Sequence, residues 1–226
     1  MSDELKLPPF TPPPMGAELE AELGRLVPVE TRRPMRQLAI VCISSMVYAA
    51  ALLAILSVRA DAGELPMGWM VGGGLAWFLG FVVPSYLALV PEKGTMIVRR
   101  RTAAVAAVAS AIAFIAMGML IHPSGPSSIQ LGAERFLHGH WCLELGLATS
   151  IVPVVLGAIY LRGAVPTGAR WIAACLGAGG GSLGGLLLHF HCPITDPLHT
   201  GVMHAGSVTV AALLAAALVP GRTEPR

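Results

Sequence analysis

Six long apolar segments, joined by short polar links, constrain this chain more than any other feature of its sequence. They run over approximately 38–58, 67–90, 102–121, 141–161, 171–190 and 201–219, each close to the ~20 residues that an α-helix needs to cross about 30 Å of hydrocarbon. Charged residues are only 12% of the 226, against 54% hydrophobic, roughly half the charge of a soluble domain. The expected fold is therefore all-α: an integral membrane protein built as a six-transmembrane-helix bundle over 38–219. An even number of spans puts both termini on one side.

Basic residues name that side, because Lys and Arg in short loops stay in the cytoplasm. Of the 15 in the chain, all but Arg59 and Arg135 fall before the first span, between spans two and three, between four and five, or after the last. The expected topology has a cytoplasmic N-terminal arm, 1–37, and a cytoplasmic tail, 220–226. The first 30 residues hold no apolar core of a cleavable leader. A basic inner face suits a lipid bilayer with anionic headgroups, and nothing in it forms the dense stripe of a direct nucleic-acid binder. Gly177 through Gly185 in the fifth span, like Gly72, Gly73 and Gly74 in the second, reads as small-residue helix packing. No strand precedes these glycines and no Lys-Ser/Thr follows, as a phosphate loop would require.

The arm differs from the rest. Pro8, Pro9, Pro12, Pro13 and Pro14 give an extended lead. Met15, Leu19, Leu23 and Leu26 then recur at helical spacing, with Glu18, Glu20, Glu22 and Arg25 on other faces, until Pro28 ends the helix at about 15–27. Acidic residues suit a protein groove better than a lipid surface. The plainer reading is a helix folded back on the bundle's own cytoplasmic loops.

Ligand-type side chains gather at the opposite ends of the spans. Cys142 and Glu144 open the fourth span, His189 closes the fifth, the link carries His191, Cys192, Asp196 and His199, and His204 lies about one turn into the sixth. His122, His138 and His140 fall near the same rim. Ionisable groups at membrane depth are costly and point to function. Thiolate, imidazole and carboxylate together suit zinc or copper, with His189, His191, His199 and His204 as candidate metal ligands, although the spacing is that of no standard zinc finger. Cys142 and Cys192 form the candidate redox pair, and a permanent disulfide and a switchable thiol pair look alike in sequence. Cys42 and Cys175 read as small buried hydrophobes. There is no Cys-x-x-Cys and no placeable Ser/His/Asp set, so no enzyme is expected.

Leu23-x-x-Leu26-Val27-Pro28-Val29 before a basic stretch, Cys142-Leu143-Glu144 opening the fourth span, Pro153 within it, the Arg162-to-Pro166 turn and His191-Cys192-Pro193 after a Gly-rich fifth span occur together. In that combination the chain resembles the NrsF-like family of bacterial six-span membrane anti-sigma factors. The resemblance implies an inner-membrane regulator of transcription that holds an extracytoplasmic-function sigma factor through its arm and releases it in a stress response. It also implies that Cys142 and Cys192 belong to the sensing side, for oxidative or metal stress. The alternative is a small haem- or copper-binding membrane redox protein with His189, His191, His199 and His204 as ligands.

Overall fold

The computed structural model describes residues 16, 21, 32–91, 100–121, 123, 139–162 and 169–220. The arm residues Met15, Leu19, Leu23 and Leu26, and the rim residues His122 and His138, lie outside the described residues. The chain divides into two units, Met1–Arg32 and Arg33–Arg226, and all the long helices belong to the second.

Among the described residues, six helices are long and apolar enough to cross a membrane: α1 (Pro34–Leu56), α2 (Met67–Leu89), α3 (Arg100–Leu120), α4 (His140–Leu161), α5 (Ala169–His191) and α6 (Pro197–Leu218). Helix is the dominant regular structure among the described residues, so most backbone polar groups of the spans find partners within their own segment, as hydrocarbon demands. Ile43, Val47, Ile55, Val71, Leu75, Val105, Ile112 and Leu213 are exposed on the outer faces. An apolar belt of that extent is the mark of a membrane protein.

Helix α5 is the axis of the assembly, buried along nearly its whole length and packed on α1, α2, α3, α4 and α6. Its glycines explain how one helix can touch five. A Cβ on Gly184 would meet the backbone of Gly146 in α4, one on Gly181 the backbone of Ser207 and Val208 in α6, and one on Gly185 the Trp77 ring of α2. Where lipid replaces water, association rests on such close approach rather than on a hydrophobic drive. The packing reading of the glycine run is thus the one the contacts support. Gly184→Val should cost about 1–3 kcal/mol or more, since backbone cannot swing aside, and should lower the thermal unfolding midpoint in detergent. Gly72, with nothing within 4 Å of its added Cβ, should accept Val at no cost; equal loss at both positions would contradict this packing.

Polar atoms inside the bundle are mostly internal to it. Thr149 donates to Leu145 O at 2.8 Å and Ser182 to Ala178 O at 2.9 Å, each returning a hydroxyl to its own helix. Cys175 donates to Pro84 O at 3.3 Å and is fully buried, in keeping with a structural thiol.

Helix boundaries differ from expectation by up to four residues, and the first helix begins at Pro34, within the stretch expected as arm, rather than at Leu38. The fifth helix runs to His191 rather than Phe190, and the Cys192 N–H still bonds Leu188 O at 2.8 Å. The sixth begins at Pro197 rather than Gly201 because Asp196 caps it, accepting from the Leu198 and His199 N–H groups at 3.0 and 3.2 Å. Asp followed by Pro at the first helical position is a strong helix start.

Candidate functional site

The cluster is built where α4 begins, α5 ends and α6 begins. Cys142 sits in the first turn of α4, Cys192 directly after α5, and His199 and His204 at the start of α6. One ligand atom from each of these four residues lies within 4.8 Å of every other. Cys142 Sγ is 3.6 Å from Cys192 Sγ, and Cys192 Sγ is 3.6 Å from His199 Nε2. The two imidazoles meet edge-on with centroids 5.0 Å apart. Cys192, His199 and His204 are 3%, 0% and 5% exposed.

The local backbone makes this meeting possible. Residues five apart on an α-helix point about 140° away from each other, which would separate His199 from His204. Instead Thr200–His204 forms a π-turn, closed by Ala205 N–H to Thr200 O at 3.1 Å. A π-turn stacks residues five apart, and such turns mark functional positions in helices. The Thr200 hydroxyl pins the turn to α3, donating to Gly118 O at 2.7 Å. Gly118 must be glycine here, since a Cβ on it would strike the Gly201 backbone.

Gly139, just before α4, holds the other side. A Cβ there would collide with Cε1 and Nδ1 of His199. Gly139→Ala should therefore displace His199 and weaken local packing by about 1–3 kcal/mol. Because Cys192 is reached only by local opening, its alkylation should speed about tenfold or more, and an unchanged rate measured by mass spectrometry would contradict the contact.

The remaining histidines do different work. His189 Nε2 bonds Met70 O at 3.0 Å and its ring packs on Trp69, with centroids 4.4 Å apart. His191 Nδ1 bonds Ser57 O at 2.9 Å. His189 thus ties the end of α5 to the first turn of α2, and His191 ties it to the α1–α2 link. His140 lies 3.9 Å from Glu144, with both side chains more than half exposed. Of the four candidate metal histidines, the structure brings His199 and His204 to the cysteines, and places His189 and His191 on backbone carbonyls.

A third group was hidden in the sequence. Arg59, read there only as an exception to the charge rule, is 4% exposed. It grips Asp61 through two bonds of 2.6 and 2.8 Å, donates to Pro193 O at 3.2 Å and lies over Trp69. Its backbone N–H bonds Phe190 O at 2.9 Å. This clamp fixes the Cys192–Pro193 turn. The hydrogen bond from Arg59 holds the Asp61 carboxyl below the usual carboxylate range, so the pair's contribution persists at mild acidity and is lost only as pH falls through that depressed value.

At Cys192, the hydrogen bond from Cys142 favours the thiolate, burial opposes it, and the bonds from His199 and His204 favour it again; the thiol lies below its ordinary value. A low-lying thiol between a second thiol and two imidazoles can bind a soft metal or attack a disulfide or an oxidant. Beside it, His189, His204, Arg59, Trp69, Met117 and Thr200 help to line a cavity of about 310 Å³.

The family model described as NrsF, negative regulator of sigma F, matches residues 24–222. No curated protein and no solved structure matches the chain.

Proposed function

The chain belongs to the family of negative regulators of sigma F, and from that premise we propose that it is an inner-membrane anti-sigma factor for a sigma factor of the extracytoplasmic-function type. The observation that carries this reading is a match spanning all six helices together with Leu26 of the arm. The family acts by negative regulation of a sigma factor; the arm as the gripping element, the cytoplasmic placement of both termini and the stress signal are the finer parts of the proposal.

The apolar stripe Met15, Leu19, Leu23 and Leu26 docks in a groove of the sigma factor and keeps it from RNA polymerase. A helix of about 12 residues is marginal alone in water, so it orders as its stripe is covered. Successive helices alternate direction, so α1 begins at one end of the bundle and the Cys142–Cys192 cluster lies at the other, about 30 Å away across the hydrocarbon. Sensing belongs to that second end. A change in the thiols or in what they bind shifts the packing of α4, α5 and α6, and each tenfold release needs about 1.4 kcal/mol of coupling between the two sites.

The test is co-purification of the untruncated protein, from membranes, with the sigma factor encoded beside it. A stable complex is expected, and none under resting conditions would overturn the proposal. The alternative redox protein needs His189, His191, His199 and His204 to act together, and the geometry divides them into two pairs.

A further inference from the structure

We propose that Cys142, Cys192, His199 and His204 form a tetrahedral site for a zinc ion. The site binds zinc whether or not the anti-sigma reading holds; only its regulatory consequence rests on that reading.

The distances favour a four-coordinate ion. Zn–S bonds of about 2.3 Å and Zn–N bonds of about 2.0–2.1 Å give tetrahedral edges of about 3.8 Å between sulfurs and about 3.5 Å between sulfur and nitrogen. The Cys142–Cys192 and Cys192–His199 separations are both 3.6 Å. All four ligand atoms lie within 4.8 Å of one another, so closing the widest pair takes roughly 1 Å of side-chain movement.

The chemistry of the donors supports zinc over copper. Two thiolates and two neutral imidazoles around Zn²⁺ sum to zero charge, and an uncharged centre is what a buried position at a bundle end tolerates. Cu⁺ in the same cage would leave one negative charge. The nearby Arg59 cannot cancel it, because its guanidinium is already paired to Asp61. Sulfur and nitrogen in a tetrahedral pair-and-pair set are also the zinc preference.

Two further observations point to a ligand. His204 Nε2 is buried with no hydrogen-bond partner among the described residues, and an unpaired buried nitrogen is expensive unless something binds it. His204 also lines the cavity of about 310 Å³, so the cluster borders a space from which an ion can approach it.

Binding is a balanced exchange: Zn²⁺ enters, two S–Zn bonds form, and the two thiol protons leave to solvent. While the metal is held, both sulfurs are engaged and cannot join to each other. Zinc loading and a Cys142–Cys192 disulfide are thus mutually exclusive states of one site, which gives the sensing end two discrete arrangements.

The experiment uses full-length protein, purified in detergent under reduction and without a polyhistidine tag. Elemental analysis should find about one zinc per chain, and cobalt substitution should give the intense visible bands of tetrahedral Co²⁺ with thiolate charge transfer. Cys192→Ser and His204→Ala should lose both signals, while His189→Ala and His191→Ala keep them. On the wild-type chain, added zinc should protect Cys142 and Cys192 from alkylation and leave Cys42 and Cys175 unchanged, a readout that does not depend on any variant folding. Zinc at background level with no protection, copper in its place, or loss of metal in the His191 variant would overturn the site. None of these readouts involves the sigma factor, so a failure here and a failure of the anti-sigma proposal are distinguishable.

Discussion

Replacing Leu19 and Leu23 together by Asp should abolish co-purification of the sigma factor with the full-length chain. A buried Leu side chain contributes about 1.5–3 kcal/mol, so two of them represent at least ~3 kcal/mol, or about a hundredfold in affinity. Setting a carboxylate in each pocket adds a desolvation cost to that loss. Glu18→Gln, off the proposed apolar stripe, should change affinity by much less. Size-exclusion behaviour should be the same for all three proteins, since the substitutions lie in the first unit, before Arg33. Undiminished binding by the double variant would remove the arm as the gripping element.

The second large effect is expected at the other end of the bundle. Cys142→Ser and Cys192→Ser should each collapse the induction ratio of a sigma-dependent reporter to about one, because a ligand or modification shifts an equilibrium only by its differential free energy for the two states. With either sulfur gone, neither a disulfide nor the four-ligand metal site can form. Cys42→Ser, in α1 away from the cluster, should induce normally. Full induction in both cluster variants would leave these thiols merely structural.

The same residues show how far the sequence was readable. Length and hydropathy suffice for six spans because lipid permits a polar backbone only in helices, and helix bounds moved by a few residues at most. The glycine run was legible as packing because small residues have one dominant use between membrane helices. Within the candidate site, Cys142 and Cys192 meet as a pair 3.6 Å apart. The choice among the histidines was not legible. Whether His199 joins His204 depends on a π-turn, a matter of one extra residue in a hydrogen-bonded ring, and hydropathy carries no trace of it. His189 and His191 are nearer to Cys192 in sequence, yet α5 remains helical through His191 and carries both to the carbonyls of Met70 and Ser57. Arg59 was hidden for a different reason. Its partners Asp61 and Pro193 come from a neighbouring turn and from a segment over a hundred positions away, and the close approach of Gly139 to His199 is likewise a contact between distant positions.

Under the anti-sigma proposal, the state of the thiols at one end of the bundle sets the grip on the sigma factor at the other. The decisive measurement is the affinity of full-length protein in nanodiscs for that sigma factor, taken with Cys142 and Cys192 reduced and again after diamide has joined them as a disulfide. At least a tenfold difference is expected, about 1.4 kcal/mol of coupling, and it should disappear in Cys142→Ser. An equal dissociation constant in both states of the wild-type protein would refute the coupling.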